Sequence, residues 1–135
     1  METLEKIKKL TFASACKLRK LDAKKVVPDF AHLPEEDREG MQSHTMIVIM
    51  VAAANQIAND GKPWKADYSD SNWKYEARWY NKGGSSGFRY IGYGGWHSGS
   101  TVGSRLAFIS YDCMRALCEQ NKNYIKLWNK YSPVK

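Results

Sequence analysis

Between Trp64 and Trp96 the chain concentrates ten of its seventeen aromatic residues, four of its five tryptophans among them, and runs them into a glycine-rich stretch. The spacing of those rings constrains the fold more than any other feature. Trp73, Tyr75, Ala77 and Trp79 alternate with Lys74, Glu76, Arg78 and Tyr80. A period of two belongs to a strand, here with one aromatic face and one mostly charged face. From Phe88 the alternation resumes, with Phe88 and Tyr90 on one side and Arg89, Ile91 and Tyr93 on the other. Two such runs around the glycine-rich turn 81–87 predict a hairpin. Residues 94–104 form a second Gly/Ser loop, and Arg105–Ile109 predicts a third strand.

Helices flank this block. Residues 3–21 place Leu4, Ile7, Leu10, Thr11, Ser14, Leu18 and Leu21 at a helical period. Val26–Phe30 is expected to be extended, because Pro28 disfavours helical backbone at Val27. Pro34 suits a first helical position, and Glu35, Glu36 and Asp37 complement a helix N-terminus. That helix has a kink point at Gly40, carries the apolar run Met46–Ala54 and stops at Asn59-Asp60-Gly61. A final helix is predicted from Ser110, a good cap, with the stripe Met114, Leu117, Cys118, Asn121, Ile125 and Trp128. The expected class is α+β: N-terminal helices, a small antiparallel sheet of about three strands and a C-terminal helix. One domain is expected over 1–135. It divides into a basic helical segment (1–25), a core helix region (26–61), an aromatic and Gly-rich sheet (62–109) and the C-terminal helix (110–132).

Charge and cysteine usage narrow the function classes. The formal charge is +7, and residues 1–25 carry +5 of it, eight Lys/Arg against three acids. A basic excess favours anionic partners on encounter, and its placement resembles a nucleic-acid-binding segment. Lys8, Lys9, Lys17, Arg19, Lys20, Lys24 and Lys25 are the candidates for that role; the alternative is a solvated helix face. Three cysteines without a CxxC pair argue against a disulfide framework and a zinc site. Buried structural thiols in a reducing cytoplasm are expected. The chain opens on charged residues with no signal-peptide pattern, and its most apolar run has nine residues, half of a membrane span. No membrane association, metal or cofactor is expected.

Candidate chemistry gathers on the second half. Arginines interleaved with rings make a stacking and anion-pairing surface, so Arg78, Tyr80, Arg89, Tyr93 and Trp96 are candidate ligand contacts. His97, in a loop beside Trp96, can contact phosphate. Ser104 and Arg105 end the second loop with a hydroxyl and a guanidinium, a fit for phosphate or carboxylate. Neither glycine loop fits a P-loop or dinucleotide fingerprint. Trp73, Tyr75 and Trp79 share a strand face and read as core. His32 and His44 have no metal-ligand spacing, and no nucleophile–base pair is recognisable, so an enzyme is the least supported class.

The series Leu33-Pro-Glu, Ile57, Lys62-Pro-Trp, Asp70, Asn72, Lys74-Tyr75, Arg78-Trp, Gly87-Phe88, Tyr93, Ser100 and Val102-Gly-Ser-Arg-Leu-Ala-Phe108 resembles a family of small proteins. These proteins are carried by phages and prophages of intestinal anaerobic bacteria. The resemblance covers about residues 28–131 and is strongest at Val102-Gly-Ser-Arg-Leu-x-Phe108. Ala77 stands where the family pattern has proline, and Ala107 where it has cysteine; the basic first 25 residues have no counterpart. What the resemblance implies is a phage origin and host cytoplasm, not a mechanism.

Three readings are then open. The first is a non-enzymatic binder of an anionic nucleotide-like ligand that antagonises host antiviral defence, with a homo-oligomer expected. A nucleic-acid-binding accessory protein is the second. The third is an inhibitor docking onto a host defence protein such as a CRISPR effector, with Trp and Tyr as interface anchors.

Overall fold

The computed structural model describes residues 2–66, 74–81, 88–96 and 106–131; within 74–81 and 88–96 it describes the backbone and the side chain of Tyr75. These residues form helices α1 (Glu2–Lys8), α2 (Phe12–Leu18) and α3 (Glu35–Ala58), strands β1 (Lys74–Asn81) and β2 (Phe88–Trp96), and helices α4 (Tyr111–Cys118) and α5 (Lys122–Tyr131). The expected α+β fold with a sheet of about three strands is overturned. Among the described residues the fold is a helical body of five helices, and β1 and β2 form only a two-stranded antiparallel ladder.

Hydrogen bonds around Phe108 explain the missing third strand. Phe108 exchanges both backbone bonds with Tyr75: its N–H donates to the Tyr75 carbonyl (2.6 Å), and the Tyr75 N–H donates to its carbonyl (3.2 Å). On a strand the neighbouring residues turn their polar groups the opposite way. Among the described residues no strand lies on that edge. Instead Asn55 of α3, buried, donates from Nδ2 to the Ala107 carbonyl (2.9 Å) and accepts at Oδ1 from the Ile109 N–H (2.9 Å). That amide satisfies the edge turned away from β1. Towards β1 the ladder would have to continue at Leu106, which lies in a turn, and at Ser110, which caps α4, so pairing stops at the single bridge Tyr75–Phe108.

The body is organised around α3, which touches each of the other four helices. Its buried positions include Ser43, Ile47, Met50, Val51 and Ala54, a stripe at three- and four-residue spacing. Around it pack Ile7 and Leu10, Ala15 and Cys16, Phe108, Met114 and Leu117, and Tyr124 and Leu127. Burying each large apolar side chain contributes roughly 1.5–3 kcal/mol. The helix is continuous through Gly40. A Cβ there would meet the Tyr131 carbonyl oxygen at 3.3 Å, so the missing side chain lets the end of α5 approach. At its other end the predicted stop holds. Asp60 (φ 58) and Gly61 (φ 84) take left-handed backbone, and the Gly61 N–H donates back to the Gln56 carbonyl (2.8 Å).

Two expected single helices are each divided. Within 3–21, Thr11 caps α2: its Oγ1 accepts from the Ser14 N–H while Ser14 Oγ accepts from the Thr11 N–H. Such a reciprocal box starts a new helix rather than continuing the old one. Near the C-terminus Asn121 interrupts in the same way, accepting at Oδ1 from the Tyr124 N–H (3.0 Å). Its Nδ2 donates to the carbonyls of Ile7 (2.7 Å), which also accepts from the Leu10 N–H (3.2 Å), and Leu10 (2.9 Å), at the end of α1. One fully buried side chain thus joins the first helix to the last. As a result α5 buries Tyr124 and Leu127, whereas the expected stripe residues Ile125 and Trp128 are half-buried. Val26–Phe30 is not simply extended: Val26 closes a turn onto the Asp22 carbonyl, and Phe30 has a φ of 55°.

Candidate functional site

The ladder carries most of the candidate ligand contacts, and its register sorts them. Lys74 pairs with Trp96, Glu76 with Gly94, Arg78 with Gly92 and Tyr80 with Arg89. The alternate set pairs Tyr75 with Gly95, Ala77 with Tyr93, Trp79 with Tyr90 and Asn81 with Phe88. Between Arg78 and Trp79 the register shifts, so that Ile91 has no opposite residue. An extra residue on one strand is a β-bulge, and a one-residue offset exchanges the two faces beyond it.

That bulge corrects the expected alternation of β2. Without it Tyr93 would share a face with Arg89. With it, Tyr93 joins the face of Tyr75, Ala77, Trp79 and Tyr90, while Arg78, Tyr80, Arg89 and Trp96 share the other. Two glycines, Gly92 and Gly94, stand on that second face opposite Arg78 and Glu76. The signal for this was present in the sequence: the run Gly92-Tyr-Gly-Gly95 is poor strand material and typical of bulges. His97, Ser104 and Arg105 lie outside the described residues.

The Tyr75 face leads into the helical body. Tyr75 packs against the core and meets Tyr111 at the start of α4 edge-on, with ring centroids 6.4 Å apart. Arg115 lies over the Tyr111 ring at 5.7 Å and pairs with Glu119 at 2.9 Å. Ser110 begins α4 as expected, accepting from the Cys113 N–H at 3.1 Å. These contacts, with Asn55, fix where the ladder leaves the body. The signal for Asn55 was a polar residue directly following the apolar run of α3.

The basic N-terminal segment is built into the body rather than trailing from it. Lys9, Lys17, Lys20, Lys24 and Lys25 are exposed, and Lys8 pairs with Glu5 (3.1 Å). Arg19 is partly buried and donates from Nη1 to Gln56 Oε1 at 2.7 Å. Gln56 in turn donates to the Gly61 carbonyl (3.1 Å), and Asn59 Nδ2 donates to the Lys62 carbonyl (3.1 Å). Lys62 and Lys65, both exposed, were left out of the sequence-based candidates.

Cysteine chemistry is suppressed. All three thiols are free and buried. Desolvation pushes Cys113 up to about 12 and Cys118 well above its ordinary value, and desolvation followed by the nearby Asp22 carboxylate raises Cys16. A thiol that holds its proton is neither a nucleophile nor a metal ligand. His44 lies against the Tyr131 ring (5.0 Å) and His32 near Phe30 (6.0 Å). Among the described residues no cluster of three His, Cys, Asp or Glu could hold a metal, and no helix is long and apolar enough to cross a membrane. No protein-family model, curated protein or solved structure matches the chain.

Proposed function

We propose that this protein captures an anionic, nucleotide-like ligand without turning it over, on the ladder face that carries Arg78, Tyr80, Arg89 and Trp96. The observation that carries this reading is the bulged register, which gathers two arginines and two rings on one face and sets Gly92 and Gly94 among them. Guanidinium groups pair with phosphate through two parallel hydrogen bonds. Tyr and Trp offer flat faces for a base, and glycine lets a planar ligand approach the backbone. Tyr93, on the opposite face, is assigned to packing. Protonated, buried thiols support a binding role over cysteine-based catalysis.

The resemblance to phage proteins gives the reading its setting: host cytoplasm, where sequestering a nucleotide signal would antagonise antiviral defence. Isothermal titration with ATP, cyclic AMP and cyclic dinucleotides tests it. Saturable binding should be lost in Arg78→Ala and Arg89→Ala and kept in Tyr93→Phe. A folded Arg78→Ala/Arg89→Ala protein that binds like the parent removes this face from the site. Arg105→Ala tests whether the segment after β2 contributes; loss of binding with an intact fold would include it.

A further inference from the structure

We infer that a second anion-binding surface, separate from the ladder, lies where α2 and α3 end side by side, and that it binds the phosphate backbone of single-stranded nucleic acid. The bonds from Arg19 to Gln56 to Gly61, and from Asn59 to Lys62, tie the C-terminal end of α2 to the C-terminal end of α3 and the turn that follows it. In the two segments that leave these helix ends, 17–25 and 59–65, Lys17, Lys20, Lys24, Lys25, Lys62 and Lys65 are exposed, and Arg19 at the junction is partly buried. Only Asp22 and Asp60 offset them within the two segments. Asp22 is itself engaged: its Oδ1 accepts from the Lys24 N–H at 3.0 Å, and its carbonyl accepts from Lys25 and Val26. Helix C-termini ordinarily attract cations, which accounts for one or two of these residues but not for seven.

Lys20 adds an independent sign. It holds a φ of 60° at the position after the α2 C-cap, with Leu21 N–H bonded to the Cys16 carbonyl (2.8 Å) and Lys20 N–H to the Lys17 carbonyl (3.2 Å). This is the Schellman arrangement, whose left-handed residue is usually glycine. A lysine there sacrifices backbone energy to hold a cation at the junction. Strain retained in this way points to a use for the side chain.

The chemistry favours nucleic acid over a membrane. A helix that lies in a lipid surface needs an apolar face to insert, yet Ala15 and Cys16 of α2 face the core and Leu18 is half-buried. Trp64, half-exposed between Lys62 and Lys65, offers a ring on which an unpaired base can stack. Phosphate contacts carry no base information, so binding is sequence-independent.

Fluorescence anisotropy of a labelled 20-nucleotide DNA strand, titrated with the full chain at several NaCl concentrations, tests this. The variant Lys20→Gly/Lys24→Gln/Lys62→Gln should weaken binding on the order of tenfold and flatten the log K versus log[salt] slope by about 2, since each phosphate contact on a single strand contributes about 0.7. The control Lys122→Gln/Lys126→Gln/Lys130→Gln removes the same charge from α5 and should leave both nearly unchanged. Lys20→Gly alone should weaken binding while raising thermal stability, opposite signs that a purely structural residue would not give. Equal losses in the junction and α5 variants overturn the proposal. So do an unchanged slope in the folded junction variant, absence of DNA binding by the parent, or preferential binding to phosphatidylserine vesicles. Loss of nucleotide binding in Arg78→Ala/Arg89→Ala with intact DNA binding separates this surface from the ladder.

Discussion

In the helical body, positions distant in sequence are tied by buried side chains. Asn121 holds the end of α1 to the start of α5, and Ile7, Met50, Phe108 and Leu117 close over one another. The ladder is joined differently: β1 meets the body through the backbone bridge Tyr75–Phe108, beside the Asn55 amide and the Tyr75–Tyr111 contact, and β2 lies against α5. A body locked by many buried contacts can carry an element whose residues are chosen for something other than packing. That division is what a binding surface on a rigid support requires.

Two substitutions should separate these regions. Asn121→Ala removes three buried hydrogen bonds and should destabilise the protein by about 4 kcal/mol, measured by urea unfolding. Since the first and last helices both depend on it, the loss should be global. Asn55→Ala removes the bonds to one carbonyl and one N–H and should cost about 3 kcal/mol by the same reasoning. Its mark should be local: amide exchange at Phe108 and Tyr75 accelerates before exchange in α3. If both variants loosen the same amides equally, the body and the ladder are one cooperative unit and the contrast fails.

The pH dependence should also divide them, because Cys16, Cys113 and Cys118 all sit in the body. Well below pH 9 the thiols are protonated in both states and contribute no slope. Above it an unfolded thiol ionises from its ordinary value of 9.0, whereas folded Cys113 keeps its proton to about 12. A raised folded value means stability is lost as pH rises through that window, so chemical denaturation at pH 10 should show a lower midpoint than at pH 8. A thiol reagent at pH 8 should react only as fast as the body opens. Smallest of all, Lys20→Gly should stabilise by about 0.5–1 kcal/mol by relieving left-handed backbone, read as a modest rise in melting temperature.

How much of this was legible in the chain depends on which force decided each element. Local signals were sufficient at Asn59-Asp60-Gly61, where α3 stops, and at Ser110, which caps α4. Period two located both strands. Where a side chain outcompeted a continuous pattern, the reading ran too long. Thr11 and Asn121 sit at apolar-periodic positions, yet their hydrogen bonds start new helices. The third strand failed because Leu106 lies in a turn and Ser110 already caps α4, while the Asn55 amide that takes up its outer edge is fifty-two residues upstream of Ala107 and invisible to local spacing. The candidate face was half legible: the residue types were plain, but the bulge that moves Tyr93 away from Arg78 depends on pairing. Lys62 was missed because it joins Arg19 only through Gln56 and Asn59.

Native mass spectrometry of the protein purified from cells, and again after incubation with cyclic dinucleotides, tests capture at the Arg78–Arg89 face most directly. The parent should carry an anionic mass of nucleotide size that is retained in Lys20→Gly/Lys24→Gln/Lys62→Gln and absent from folded Arg78→Ala/Arg89→Ala. A parent with no added mass under either condition, or an added mass that survives the loss of both arginines, would contradict it.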